Sequence, residues 1–296
     1  MNVMEGILTS NNPGYNERQN VKAYLKVFME KMTWKQLDVA IKAEKKKLRV
    51  SEKWKHKSLK LAKIFKDQFE NDRNMLTKEQ TEYNYIINFI SRLFKLMFKE
   101  DDEVELDWGE KTLKAAAILK NQSLRDDYRR SHGNKIDLLL SINEILLEMS
   151  IMEVSGAPCE TDHSHYVGDR NKIAKMLKII INNIAINYPG DFGMLRKIKF
   201  FGIQIYAHTF YVYSMSMPFP ATYYYKLEYK FTCPKTMRTL HKELPKFGYN
   251  LWKVRDLVKS SVSDIMSYID NEDSEASDIT IDPVKQSPRK TRARKS

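Results

Sequence analysis

Lys135-Ile136-Asp137-Leu138-Leu139-Leu140 and Ile151-Met152-Glu153-Val154-Ser155-Gly156 carry the reading of this chain. Each is an apolar run with one carboxylate near its end. Short apolar runs bounded by polar turns read as buried strands, here 136–142 and 145–154, with Asn143-Glu144 as the turn. Paired as a hairpin, they bring Asp137 and Glu153 together at one sheet edge. A buried charge is costly unless it is paired or metal-bound, so two adjacent carboxylates point to a divalent-cation site. The alternative is plain: strand-end carboxylates also sit in solvent or pair with a neighbouring Arg.

Outward from the hairpin the pattern is α/β. Trp108-Gly109-Glu110 is expected to open a short helix running to Lys120, followed by a polar, basic loop, Arg125 to Asn134. After the second strand, Gly156-Ala157-Pro158 is a stop. Gly168-Asp169-Arg170 is expected to start a long helix to about Asn187, with Ile173, Met176, Leu177, Ile180, Ile181 and Ile184 facing inward. Residues 198–231 are rich in Ile, Tyr, Phe and Val and predict two or three strands, interrupted by Pro218 and Pro220. A closing helix or pair runs from Lys235 to Ile269, kinked or broken near Pro245 and Gly248.

The N-terminal part is helical and basic. A lead over residues 1–20 reads as disordered, and a basic helical region fills 21–100. Between Lys22 and Arg73 stand sixteen Lys or Arg against seven Asp or Glu. Thr33-Trp34-Lys35-Gln36-Leu37 begins one helix there and Val50-Ser51-Glu52 another. Thr77 with Gln80 reads as a capping box for a helix whose broad face carries Tyr83, Ile86, Ile87, Ile90, Leu93, Phe94 and Met97. The α/β core then occupies 101–269.

The net charge of +12 favours a polyanionic partner, most simply nucleic acid, with an anionic membrane surface as the other reading. No run reaches the roughly 18 apolar residues of a transmembrane span. Two cysteines, Cys159 and Cys233, do not make a disulfide framework and suit a reducing, intracellular compartment. The tail from 270 to 296 switches sign, with six acids between Asp270 and Asp282 and six bases between Lys285 and Lys295. Its composition predicts disorder. Arg289, Lys290, Arg292, Arg294 and Lys295 form a patch of the nuclear-import or nucleic-acid-contact kind, beside a proline-directed phosphosite at Ser287-Pro288; a merely solubilising tail is the plainer alternative.

The order helix, strand, strand, helix, strand around Glu110, Asp137 and Glu153 resembles the PD-(D/E)XK nuclease superfamily. Over about residues 83–260 the chain is also similar to uncharacterised fungal proteins with a Trp-Gly-Glu helix start, a Lys-Ile-Asp strand and a later Glu-x-Lys. The resemblance implies a restriction-endonuclease-like core, α/β in class, behind the helical N-terminal region. It implies Mg²⁺ or Mn²⁺ held by Asp137 and Glu153 with support from Glu110, and hydrolysis of a phosphodiester. Two positions depart from the family pattern. Ile136 replaces the motif Pro, and Ser155 replaces the Lys that positions the attacking water. A hydroxyl cannot supply that charge, so Lys172 or Lys175 on the following helix, or Lys135, is the candidate replacement.

The resemblance therefore implies a metal-dependent nuclease-like protein that acts on or binds nucleic acid, inactive if no cation replaces Ser155. The alternative is a non-catalytic nucleic-acid-binding or protein-interaction module in the nucleus. Three further groups of residues are candidate sites. Asp162-His163-Ser164-His165 could ligate a metal or simply order its loop through hydrogen bonds. Arg170 and Lys172 could meet a phosphate at the start of the long helix. Tyr206, Tyr211, Tyr213, Tyr223, Tyr224 and Tyr225 could stack bases, although alternation along strands sends half of them to the core.

Overall fold

The computed structural model describes residues 13–28, 30, 33–70, 74, 76–99, 102–121, 135–159 and 161–271. The chain is mixed α/β. A helical N-terminal part holds α1 (Pro13–Tyr24), α2 (Trp34–Lys47) and α3 (Lys53–Gln68). Then come α4 (Glu82–Tyr85), a π-helical turn (Ile86–Ile90) and α5 (Ser91–Phe98), continuous with one another. Helix α6 (Lys114–Asn121) lies within the sheet-forming part, as do α7 (His163–Asn187) and the single turn α8 (Phe192–Leu195). Helix α9 (Met237–Ile269) closes the fold.

The sheet has six strands in sequence order: β1 (Val104–Thr112), β2 (Lys135–Ile142), β3 (Leu147–Val154), β4 (Phe200–Tyr206), β5 (Thr209–Phe219) and β6 (Thr222–Thr232). Neighbours are antiparallel except β3 and β4, which run parallel. A parallel neighbour needs a long crossover, and α7 supplies it. Every residue of β3 is buried, as befits a central strand covered on both faces.

Helices cover the two faces differently. Helix α7 lies against β3 and β4 on one face, where Gly202 lets its backbone approach Ile173 and Leu177. Helix α9 lies on the other, where Phe247 meets Phe210 and Phe231, each at 5.6 Å between ring centres. Phe65 of α3 joins that aromatic group at 5.4 Å from Phe247. One apolar core thus runs from Val21 in α1 to Tyr268 in α9.

Several local expectations hold. Thr33 and Gln36 form a reciprocal cap on α2, and α3 starts at Lys53 after Glu52. Others need correction. Trp108-Gly109-Glu110 is strand, not helix: it lies in β1, and the helix begins only at Lys114. Gly109 has φ +90°, the conformation of a bulge, which a helix start would not tolerate. The cap at the α4 helix is Thr81, whose hydroxyl accepts from the Asn84 amide, rather than Thr77. Helix α7 starts six residues before Asp169, capped by Asp162. The hairpin turn spans 143–146, with Leu146 at φ 50°. Residues 198–231 yield three strands, β5 carrying Pro218 within it. Helix α9 is one helix despite Pro245, because buried packing on both sides of the proline outweighs the lost backbone bond. The Arg125–Asn134 loop, and the basic tail with Arg289, Lys290, Arg292, Arg294 and Lys295, lie outside the described residues.

Candidate active site

The β2–β3 register puts Leu138 opposite Met152. One step further, Asp137 and Glu153 stand opposite each other, and opposed residues in an antiparallel pair share a face. On the other side of β2, Trp108 pairs with Leu138 and Lys111 with Ile136. Gly109 and Glu110 therefore both oppose Asp137, a two-against-one bulge. Glu110 is adjacent to the site through its backbone in a strand.

Each acid is anchored differently. The Val154 N–H donates to Asp137 Oδ2 at 2.7 Å, which fixes that carboxylate across the hairpin. Glu153 is only 2% exposed. Its Oε2 accepts from Lys172 Nζ at 2.6 Å, whereas its buried Oε1 has no hydrogen-bond partner. Burial, reinforced by the Asp137 charge, pushes Glu153 up to about 9, with Lys172 opposing the shift.

A third acid comes from upstream. Glu82, first residue of α4, accepts the Gly156 N–H at 2.7 Å through Oε2. Gly156 sits at φ +89°, a conformation that favours glycine at this turn after β3. Burial first, then the charge of Asp137, raises the Glu82 carboxyl above its ordinary value, and the Gly156 amide pulls the other way. Sequence reasoning missed Glu82. Its only signal was a Thr-Glu pair opening the apolar stripe of 83–97.

Lys172, on α7, reaches Glu153, the acid on the second strand of the hairpin. Lys175, one turn further, is exposed, and Lys135 is exposed at the start of β2. Ser155 is 1% exposed and belongs to the core. Its amide donates to Ile205 O at 2.8 Å, and its hydroxyl accepts from Gln204 Nε2 at 2.8 Å. Gln204, fully buried, also donates to Tyr166 O at 2.7 Å and accepts from the Tyr213 hydroxyl at 3.3 Å. A lysine at 155 would have to enter this closed network.

The His-x-His stretch is the first turn of α7. Asp162 Oδ1 accepts from the Ser164 amide at 2.8 Å and from the His165 amide at 3.3 Å, so the acid is a helix cap. His165 Nε2 stands 3.5 Å from Asp169 Oδ2, one turn along the helix and close enough to the acids for its charge to be felt at Glu82. Of the tyrosines, Tyr211 and Tyr213 stack on each other, Tyr213 being buried, whereas Tyr224 is 58% exposed on β6.

Among the described residues, no group of three or more His, Cys, Asp or Glu side chains is gathered tightly enough to hold a metal ion. Mg²⁺ does not need one: it keeps several waters and is bound through one or two carboxylates. A buried oxygen of Glu153 has no hydrogen-bond partner, and Asp137 stands opposite it on the paired strand, so the residues present fit an ion of that kind. No protein-family model matches the sequence, and no curated protein or solved structure matches it. No described helix is long and apolar enough to cross a membrane.

Proposed function

We propose that this chain is a nuclease-like protein that acts on nucleic acid, with Asp137 and Glu153 as ligands of Mg²⁺ or Mn²⁺. The observation that carries the reading is Glu153: a buried carboxylate with one oxygen on Lys172, the other unpartnered, and a second acid opposite. The order of a helix, an antiparallel β1–β2–β3 meander, the α7 crossover and a parallel β4 also supports a restriction-endonuclease-like core. A divalent cation at this point would polarise a phosphodiester and favour ionised water. Asp137 and Glu153 would hold it, and Glu82 would add negative charge beside them. Lys172 is the side chain placed to orient a water or steady a phosphate oxygen, the task the family pattern gives to the position of Ser155. The basic tail would direct the protein to the nucleus.

Calorimetry with Mg²⁺ and Mn²⁺ tests this, wild type beside the Asp137→Asn, Glu153→Gln double variant, which keeps side-chain volume and the Val154 hydrogen bond. We expect binding in the wild type and its loss in the variant, together with loss of cleavage of a labelled DNA or RNA. A folded wild type that binds neither ion overturns the reading. The second reading is a non-catalytic nucleic-acid-binding module, favoured by the core position of Ser155. It predicts nucleic-acid affinity that survives the double variant and falls steeply with salt.

A further inference from the structure

A cavity of about 620 Å³ opens beside Glu82 and Asp137, between the α4–α5 helix and β1. Its walls include Tyr83, Ile87, Arg92, Lys95, Trp108 and Gly109. A second hollow of about 450 Å³ shares Lys95 and Trp108 with the first and reaches Lys99. The two form a groove that leads away from the acids. We infer that this groove receives an unpaired stretch of nucleic acid and leads it to the acidic site.

Three features of the walls carry the inference. First, Tyr83 is 65% exposed and Ile87 47% exposed, large apolar groups outside the core beside a charged centre. Flat aromatic surface in such a place suits a nucleobase, because every base has a π-face to stack. Second, Arg92, Lys95 and Lys99 follow i, i+3, i+7 spacing, which sets them in a row on one helix face. Arg92 is already held by Asp67 at 2.5 Å, so Lys95 and Lys99 are the phosphate contacts. Asp102 and Glu105 line the far hollow too, which confines the positive stripe to its helix side. Third, Trp108 Nε1 is buried in the shared wall with no hydrogen-bond partner, a donor for a base or sugar oxygen.

The size of the groove selects the form of the strand. A hollow of this volume is of small-ligand size and encloses a nucleotide or two. Bases paired in a duplex keep their faces in the stack, so the aromatic wall can meet them only once they are unpaired. Gly109 and Asp137 line the same cavity, and the space around Gly109 at the bulge is open.

The strand's destination rests on the nuclease reading, but its binding does not, and one experiment separates the two. Fluorescence anisotropy would follow a labelled oligothymidylate and a blunt duplex of equal length, with EDTA and then with Mg²⁺. Wild type is compared with Tyr83→Ala, Lys95→Ala and the Asp137→Asn, Glu153→Gln variant. Tyr83 and Lys95 are exposed, so their removal leaves the core intact. We expect single-strand affinity to fall about tenfold in each of the two groove variants, with duplex affinity moved less than twofold. Unchanged single-strand affinity in both groove variants, or an equal loss for duplex, overturns the groove whatever the cation does. Loss in the groove variants, with no cation binding by the wild type, upholds the groove and removes the nuclease reading.

Discussion

Burial favours the neutral form of Glu153, and that has a measurable consequence. Its carboxyl is raised from 4.5 to about 9 by burial and by Asp137. The stability linked to this group is therefore fully present below about pH 4.5 and is lost as pH rises through about 9. Glu153→Gln removes the titrating group and should flatten that slope, leaving the variant more stable than wild type at pH 8 by about 1–3 kcal/mol. Denaturant unfolding at pH 5 and pH 8 in EDTA checks this, and equal pH slopes in the two proteins would refute it. A bound divalent cation should reverse the order at pH 8, since it compensates the charge that Gln lacks. At this scale the juxtaposition of Asp137 and Glu153 was legible, because apolar runs are local signals, whereas the choice of Lys172 over Lys175 and Lys135 needed the packing of α7. Glu82 was not legible. It joins the site from 74 residues before Gly156, and its one local sign, the Thr81-Glu82 pair, marks a helix start and not an acid beside Asp137.

Between elements, the contact that matters most for the site is α7 on β4. A Cβ added at Gly202 would lie 2.3 Å from Ile173 Cγ2 and 3.1 Å from Leu177 Cδ1. Gly202→Ala should cost about 1–3 kcal/mol through overpacking. Because Lys172 precedes Ile173, the same shift should draw its ammonium from Glu153 and change cation affinity. A thermal melt and a cation titration on one preparation test both. A variant with unchanged melting temperature would show that α7 can yield freely. Helix and strand types were mostly legible from periodicity, as in α2, α3 and the β2–β3 hairpin. The misreadings have two causes, a strand pairing that overrides a local signal and a competing cap earlier in the chain. Trp108-Gly109-Glu110 has the look of a helix start, but Gly109 serves a bulge in β1. Asp169 looks like a cap, but Asp162 holds the helix end and Asp169 is buried a turn and a half inside.

On the scale of the molecule, residues 13–20, expected to belong to a disordered lead, are helix in α1 and are fastened to the closing helix. Arg255 Nη1 and Nη2 donate to the two oxygens of Glu17 at 3.1 and 3.0 Å, and Trp252 Nε1 donates to Glu17 Oε1 at 3.0 Å. Burial works against ionising Glu17, but Arg255 and Trp252 outweigh it and hold the carboxyl below its usual range. The stability it contributes is present above the unfolded value of 4.5 and is lost as pH falls through the lower folded one. Glu17→Ala should destabilise the whole protein by about 2–3 kcal/mol at pH 7, since Arg255 and the indole lose their partner in a largely buried place. The loss should appear in one cooperative transition seen alike by far-ultraviolet and tryptophan signals. An early, separate melting of the helical part would contradict the single core. Composition pointed to disorder over residues 1–20, because a link of more than 230 residues in sequence leaves no local trace.

The spread of the acidic centre along the chain also sets an order of assembly. Asp137 and Val154 are 17 residues apart and close with a short hairpin. Lys172 reaches Glu153 only when the crossover has docked, and Glu82 must return across 74 residues to Gly156. Longer loops cost more entropy to close, and non-local pairings form late. Lys172 lies only 19 residues from Glu153, a span like the hairpin's 17, so loop entropy brings the two strand acids and their lysine together early and Glu82 last. A folding chain therefore holds the acidic pair and its lysine before the N-terminal helices bring the third acid.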